Sequence, residues 1–443
     1  MLEELIIGGC NELKSISLSD CPKLKSITIP ESVETIYLGN CENIEELIAP
    51  YNGSSRYISN LREVTIASCP NLKVVDFSNQ NNPLLDISLI GASGIENLYL
   101  QRIVTTKIIF AEKSRWTSLK TLDLSATQLG TLHYLGSTLN ETVLDLEQFT
   151  NLESLVISDN GTVTDIICPN IEGHKINLTS GAVAGCGSLK NLYGNFLLSG
   201  SRIFSQCGNL VLNDDRIYNN NAVINYNSVP FINDPRSCNI SIDPNINSVS
   251  ELFSGCTSLT GNDFNLIMLL LHDNITNISR MFTGCSGIDA DLRYDTFRHC
   301  PNVIDMTAFA SGSGLRGGIY SRATTYSDED TTTWGTFDFI RNVKSLTEAF
   351  ISSKLEFIDN DAFAPYMSNE QLTYFDLRDM DNMFAYCPNL ASYAKYSTRE
   401  VIPGNLQSKT FFTNLRKLGR FPKGLFEGCT YVNMDINSDY VAG

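Results

Sequence analysis

Aliphatic residues recur along this chain in pairs that flank a single residue, at intervals of about eleven positions. Early examples are Leu5/Ile7, Ile16/Leu18 and Ile36/Leu38. Alternation over three residues indicates a very short strand whose two aliphatic side chains point inward while the middle residue points outward. Eleven residues are too few for one coil of a repeat solenoid, since such coils take about 20 to 29 residues. We therefore predict flattened coils with two short strands each, on opposite walls.

Cysteine follows the same repetition. Twelve of the thirteen cysteines, Cys168 among them, are followed three positions later by an aliphatic residue, and only Cys238 is not. Cysteine behaves as a small, easily buried residue with a weak S–H donor, which suits a tight turn where a coil bends into its core. We assign a structural turn role to Cys10, Cys21, Cys41, Cys69, Cys186, Cys207, Cys256, Cys285, Cys300, Cys387 and Cys429.

The cysteine count also bears on redox and metal chemistry. The number is odd and no C-x-x-C pair occurs, so zinc knuckles and thioredoxin-type motifs are absent from the sequence. We expect free structural thiols. The alternative is a bridge between Cys21 and Cys41, because strands of successive coils stack about 4.8 Å apart.

One segment resembles a known family. Residues 27–36 read I-T-I-P-E-S-V-E-T-I, which is similar to the I-x-I-P-x-S-V-x-x-I core of BspA-like bacterial leucine-rich repeats. That family carries F-x-x-C-x-x-L at its turn, and F-x-x-C elements occur here within residues 204–429. The resemblance implies a leucine-rich-repeat solenoid, mostly β with short helices and short parallel strands. It also implies a protein or glycan partner at a bacterial, host or extracellular surface.

Composition and spacing divide the chain into three segments. Residues 1–212 form the regular array, and residues 213–247 are an Asn-rich stretch without clear strand alternation, which indicates an irregular junction. Residues 248–443 carry degenerate F-x-x-C repeats with uneven spacing, so we expect loop insertions there. A short helix is predicted over 263–271 and an exposed loop over 311–334.

Charge and hydropathy exclude several partners. The net charge is −17 at pH 7, and nucleic acids and anionic membranes both favour an excess of Lys and Arg. No apolar stretch reaches the roughly 18 to 20 residues that span a bilayer, so we expect no membrane insertion. The chain opens directly on a repeat, without a signal-peptide pattern. Since no polar cap precedes Leu2, we expect a neighbouring chain or a second copy to cover the N-terminal edge.

No constellation of catalytic or metal-binding residues emerges. The four histidines lie far apart, at His133, His174, His272 and His299. Residues 312–317 match G-x-G-x-x-G literally but are not followed by an amphipathic helix, so a loop is the better interpretation. Two acidic runs, 328–330 and 359–361, lack the glycine and distal glutamate of a calcium loop. We predict no enzyme activity, no cofactor and no metal.

Outward strand residues are the remaining candidates for function. Tyr37 on one wall and Tyr99 on the other are the strongest anchors, because aromatic residues dominate interface hot spots. Asp76 and Asp123 share the wall of Tyr99. A rigid surface of repeated side chains suits a large partner, so we predict a recognition or adhesion scaffold. The alternative is a structural or receptor-binding component of a larger assembly, such as a bacteriophage tail or capsid appendage.

Overall fold

The structure of the chain is a computed structural model. It describes residues 2–49, 59–78, 86–100, 104–110, 118–124, 128–134, 137–138, 142–212, 232–293, 295–320, 335–359, 362–364, 366–368, 371–373, 375–390, 394–395, 400–401, 405–406, 418–420, 422–430 and 432–434.

The chain forms two compact units. The first unit comprises residues 1–198, 212–214 and 231–241, and the second comprises residues 199–211, 215–230 and 242–443. Composition predicts a division of the chain at residues 212 and 247. That division stays a prediction.

Short strands account for most of the regular structure up to residue 242. In chain order they are β1 (Glu4–Ile6), β2 (Ser15–Ser19), β3 (Ser26–Thr28), β4 (Thr35–Gly39), β5 (Glu46–Ile48), β6 (Glu63–Ile66), β7 (Val74–Asp76), β8 (Asp86–Ser88), β9 (Asn97–Tyr99), β10 (Val104–Phe110), β11 (Thr121–Asp123), β12 (Gln128–Tyr134), β13 (Ser137–Thr138), β14 (Val143–Asp145), β15 (Ser154–Val156), β16 (Asp165–Ile167), β17 (Ile176–Thr179), β18 (Asn191–Ser199), β19 (Val211–Leu212) and β20 (Cys238–Ile242).

The first unit is a parallel β-solenoid. Strands β2, β4, β6, β8, β10 and β12 pair in parallel as one wall, while β5, β7, β9, β11, β15 and β17 form another, and β1 pairs with β3. Ser15 pairs with Thr35 and Glu63 pairs with Asp86, so a coil takes 20 residues at one place and 23 at another. The predicted solenoid with two short strands per coil is therefore confirmed.

Aliphatic residues fill the interior of this unit. Corresponding inward residues of successive strands form continuous rows because the strands are in register. The inward row of the first wall is 4% exposed or less, and that of the second wall is 1% exposed or less. The rows are Ile16, Ile36, Val64 and Ile87 on the first wall, and Leu47, Val75, Leu98, Leu122 and Leu155 on the second.

Cysteine lies between two turns in both units. The carbonyl of Cys69 accepts a hydrogen bond from the N–H of Leu72, and that of Cys285 accepts from Ile288. This turn places the side chains of Leu72 and Ile288 in the core, which is why an aliphatic residue recurs three positions later. In the second unit the N–H of Cys285 also donates to the carbonyl of Phe282, and this turn closes the F-x-x-C element. Cys238 lies instead within β20, a strand inside the segment that showed no strand alternation. Its place in a strand explains why it breaks the cysteine spacing.

Asparagine holds successive coils together at the same turns. The side-chain amide of Asn43 donates to the carbonyl of Pro22 at 2.6 Å, and that of Asn71 donates to Glu42 at 2.7 Å. In the second unit Asn302 donates to the carbonyl of Asp273 at 2.8 Å. Each bond runs from one coil to the preceding coil and satisfies a carbonyl that strand pairing leaves free.

The second unit has fewer strands and one helix. The helix α1 (Gly261–Leu270) is capped by the side chain of Thr260, which accepts from the backbone of Asp263, and it confirms the helix predicted nearby. The strands are β21 (Asp291–Leu292), β22 (Arg316–Ile319), β23 (Phe357–Ile358), β24 (Tyr366–Ser368), β25 (Gln371–Thr373), β26 (Ala394–Lys395), β27 (Glu400–Val401), β28 (Asn405–Leu406) and β29 (Asn433–Met434).

One sequence expectation for this unit is wrong. The exposed loop predicted over 311–334 begins instead with a turn and β22, which pairs with β21 and β23 and buries Ile319 completely. Glycine content suggested a loop, but Gly317 and Gly318 are themselves buried within this strand. Residues 321–334 lie outside the described part of the chain.

Stacked phenylalanines form the core of the second unit. Its coils meet through single parallel bridges that join Ser248, Asn277, Asp305, Ser345 and Asp379 in order. Behind these bridges, Phe204 and Phe253 stack with ring centroids 5.2 Å apart, and Phe384 and Phe426 stack at 5.7 Å. Backbone hydrogen bonds also join these coils, as from the N–H of Phe282 to the carbonyl of Phe309, and the stacked rings fill the interior that aliphatic rows fill in the first unit.

Candidate binding face

Seven outward residues form an aligned series on the second wall of the first unit, which we call the outer column. Strand register places each of them beside the next, from β1 to β15, with β3 beside β5. In order they are Ile6, Thr28, Ile48, Asp76, Tyr99, Asp123 and Val156.

Exposure along the outer column is uneven. Ile6 is 72% exposed and Ile48 is 41% exposed, although the outward positions of short strands usually carry polar residues. Tyr99 and Val156 are half-buried. Asp123 is only 8% exposed, so it offers little surface to a partner.

The predicted acidic contact Asp76 has an internal role. Its Oδ1 accepts a hydrogen bond from the N–H of Ser78 at 2.9 Å and another from the hydroxyl of Ser78. Asp145 binds the N–H of Glu147 at 3.1 Å in the same way. These carboxylates therefore cap the turn that follows each strand, and a contact between Asp76 and a partner stays a prediction.

Tyr37 lies apart from the other three predicted contact residues. It stands on β4, between Ser17 and Thr65 in the register of the first wall, whereas Asp76, Tyr99 and Asp123 are consecutive members of the outer column. Its side chain is 40% exposed and lies against Gly39, where an added Cβ would be 3.0 Å from the hydroxyl oxygen.

A column of alternating charge runs beside the outer column, and sequence reasoning missed it. Its members stand two positions before the inward aliphatic residue of each strand. The N–H of such a residue donates to the carbonyl of its counterpart in the preceding coil, as from Lys120 to Glu96. Ion pairs follow this order, with Lys25 Nζ 3.5 Å from Glu3 and Lys120 Nζ 3.0 Å from Glu96. The charge column is Glu3, Lys25, Glu45, Lys73, Glu96, Lys120 and Glu153.

The second unit carries a different polar arrangement. The N–H groups of Ser279 and Thr307 donate to the side chains of Asn277 and Asp305, each at 2.9 Å, so these two bridge residues cap their own turns. At its C-terminal end Arg420 donates to both oxygens of Asp381, at 2.7 and 2.9 Å, and this contact lowers the pKa of Asp381. These side chains hold one another in place.

The buried thiols are poor nucleophiles. All thirteen cysteines are free. Burial raises the pKa of Cys69 to about 11 and that of Cys285 to about 12, and it raises the pKa of Cys300 as well. Since the thiolate is the reactive form, these groups stay protonated and unreactive at neutral pH.

The described residues show neither a metal-binding cluster nor a membrane-spanning helix. Within that part of the chain, no group of three or more His, Cys, Asp or Glu side chains is arranged to hold a metal ion. None of its helices has the length and apolar character needed to cross a membrane. The literal G-x-G-x-x-G ends within β22, and the acidic run at 328–330 lies outside the described residues.

The register, the coil length and the inward aliphatic rows define a leucine-rich-repeat type of solenoid. No protein-family model matches the chain, and no curated protein matches it. Solved structures with a similar fold include the plant peptide hormone receptor RGFR1 in complex with RGF2, at 14% identity and a TM-score of 0.19, covering 98% of this chain and 78% of the receptor.

Two further solved structures that match the chain are also complexes. The ectodomain of GASSHO1/SCHENGEN3 from Arabidopsis thaliana, in complex with CASPARIAN STRIP INTEGRITY FACTOR 2, is 11% identical with a TM-score of 0.22, covering 88% of this chain and 59% of the ectodomain. The TLR13–ssRNA13 complex is 14% identical with a TM-score of 0.18, covering 94% of this chain and 57% of TLR13. At these scores the similarity carries no argument about partners or function.

Proposed function

We propose that the protein is a non-enzymatic recognition scaffold that binds a protein or glycan partner through the outer column of the first unit. The observation that carries the proposal is the in-register column with Ile6 and Ile48 exposed, since exposed aliphatic side chains within a polar surface mark interaction sites when they form a patch. The inward rows serve packing alone, which leaves the outward residues free to vary with the partner.

The absence of enzyme activity is part of this proposal. Protonated thiols and capped carboxylates support it, because neither provides a nucleophile or a general base. The net charge of −17 supports a partner other than nucleic acid or an anionic membrane.

The finer proposal is adhesion at a bacterial surface. It follows from the resemblance of residues 27–36 and of the F-x-x-C turns to BspA-like repeats. A protein or glycan displayed on a cell surface would then meet the outer column. Labelling of intact cells with an antibody against the protein tests this location, and exclusive labelling of permeabilised cells would contradict it.

Immobilised protein tests the scaffold itself. The bait is exposed to an extract of its source cells and, separately, to a glycan array, and each is repeated with an Ile48→Lys bait. We expect a partner that binds the wild-type bait and is lost on Ile48→Lys, since a buried ammonium group at the interface is costly. A bait that retains no partner in either format, or partners that bind both baits equally, would overturn the proposal.

A role in a larger assembly is the second candidate, and the free thiols favour it. Disulfides form in oxidising compartments, and thirteen free cysteines are typical of a chain that matures in a reducing one. A virion component made in the cytoplasm meets this condition. Co-sedimentation of the protein with purified particles at fixed stoichiometry supports this candidate, and its absence from such particles would remove it.

A further inference from the structure

The outer column alternates between apolar and polar residues from coil to coil. Ile6, Ile48, Tyr99 and Val156 occupy every second position, and the positions between them are polar. Register pairs such as Ile48 with Asp76, Asp76 with Tyr99 and Asp123 with Val156 show that the alternation is spatial.

The charge column alternates in the same phase. Each apolar member of the outer column shares its coil with a glutamate, as Ile48 does with Glu45, and each polar member shares its coil with a lysine, as Asp76 does with Lys73. The structural repeat of this face is therefore two coils, although the repeat of the core is one coil.

The spacing of the two-coil repeat matches an α-helix. Two strand spacings of about 4.8 Å give about 9.6 Å between apolar positions. Seven residues of an α-helix rise about 10.5 Å. Over the four apolar positions the difference accumulates to about 3 Å, which side chains of both partners accommodate by changing rotamer. A helix lying along the column can therefore place one heptad position opposite each apolar residue.

The charge of this face selects a basic partner. Apart from Asp76, which caps its own turn, and Asp123, which is 8% exposed, the two columns together with Glu4 and Glu46 carry six glutamates and three lysines. Glu4, Glu45 and Glu46 are exposed beside Ile6 and Ile48. Lys and Arg flanking an apolar heptad position would meet these carboxylates at the rim of the contact, where complementary charge favours association.

We propose that the outer column binds a basic amphipathic α-helix of a protein partner, with one apolar residue per heptad directed at Ile6, Ile48, Tyr99 and Val156. This inference rests on the proposed recognition function and names the chemistry of the partner. The binding mode is that of a helix laid along a patterned surface, read by anchors at heptad spacing.

Synthetic peptides test the spacing and the charge. The probe is a 24-residue peptide, with about three helical heptads, that has Leu at every seventh position, Lys at the flanking positions and Ala elsewhere. One control has the same composition with Leu at every fifth position, and another has Glu in place of Lys. We expect the intact protein at physiological ionic strength to bind the probe at least about tenfold more tightly than either control, measured by fluorescence anisotropy.

Two protein variants locate the contact. Ile48→Lys changes an apolar member of the outer column, while Thr65→Lys adds the same charge at an outward position of the other wall. We expect Ile48→Lys to weaken binding of the probe by about tenfold or more and Thr65→Lys to change it by less than about twofold. Circular dichroism of both variants verifies that they are folded.

The outcomes separate this inference from the proposed function. Equal binding of all three peptides, no binding of any peptide, or equal effects of Ile48→Lys and Thr65→Lys would overturn the helix proposal. If the immobilised wild-type protein still captures a partner that Ile48→Lys loses, the recognition function stands and only the helical chemistry fails.

Discussion

The two units use the same cysteine turn but hold their coils together by different means. In the first unit, hydrogen-bonded strands with aliphatic inward rows join the coils, as at Leu98 between Val75 and Leu122. In the second unit each coil has a single bridge to the next, flanked by backbone hydrogen bonds between turns such as that from Phe253 to Met281, and stacked rings such as Phe253 between Phe204 and Phe282 take the place of the aliphatic rows. The cysteine turn is therefore common to both units, whereas the residues that fill the core differ: aliphatic rows in the first unit and stacked phenylalanines in the second.

Truncation of a stacked ring should have the largest effect. We expect Phe253→Ala to reduce the free energy of unfolding by about 3–5 kcal/mol, because it leaves a cavity and removes two ring contacts. Leu98→Ala in the first unit should cost about 2–5 kcal/mol. Urea denaturation gives the totals, and hydrogen exchange by mass spectrometry shows which unit is loosened. Equal loosening of both units by either variant would contradict their separate cores.

Close approach of backbones at a turn gives the next largest effect. A Cβ added at Gly287 would lie 2.3 Å from the carbonyl oxygen of Thr257, whereas a Cβ at Gly187 would meet no atom within 4 Å. We expect Gly287→Ala to destabilise the protein by about 1–3 kcal/mol, since the coils must separate. Gly187→Ala should change stability by less than about 1 kcal/mol. A thermal melt with no difference between the two variants would refute this explanation.

The asparagine contacts should be equivalent in both units, because they belong to the shared turn. We expect Asn71→Ala and Asn302→Ala each to cost about 0.5–1.5 kcal/mol, the usual net value of a hydrogen bond. Parallel urea titrations provide the measurement. A cost confined to one unit would show that the turns differ more than their geometry suggests.

The smallest expected effect is a local loss of stability at low pH. Asp381 has a pKa below its unfolded value because Arg420 donates to it, so this contact stabilises the fold above about pH 4 and is lost as pH falls through the folded pKa. Since Arg420 is 45% exposed and Asp381 is 21% exposed, solvent screens this pair and the effect should be limited to the coil at residues 418–430. We expect lower protection against hydrogen exchange there at pH 3 than at pH 6, with each rate divided by the intrinsic exchange rate at that pH, and Arg420→Gln should remove the difference. An unchanged pH response in Arg420→Gln would exclude this ion pair as the cause.

Local patterns allowed much of the first unit to be predicted from sequence. The L-x-L alternation and the C-x-x-L spacing correspond to an inward strand row and to an i to i+3 turn, and each depends only on neighbouring residues. The outer column followed from the same alternation. The charge column was equally visible in the sequence, but its meaning appears only when the coils are aligned.

The second unit was harder to predict because the cysteine that marks each turn is replaced in two coils. Ser313 and Ser353 stand at the cysteine position, so a search for F-x-x-C leaves the coils that begin at Asp305 and Ser345 unseen between Cys300 and Cys387. Ser353 fills the place through its hydroxyl, which lies 3.5 Å from the sulfur of Cys387. Either a thiol or a hydroxyl fits the cysteine position of the turn, whereas the F-x-x-C motif matches only cysteine.

The direction of the hydrogen bonds that the thiols donate in the second unit bears on how the protein folds during synthesis. The sulfur of Cys256 donates to the carbonyl of Phe204, and that of Cys285 donates to the carbonyl of Phe253, so each thiol contacts the coil synthesised before it. A coil leaving the ribosome thus finds its acceptor already in place, and its phenylalanine finds a ring to stack on. Growth of this unit can therefore proceed one coil at a time, in step with translation, without waiting for the C-terminal end of the chain.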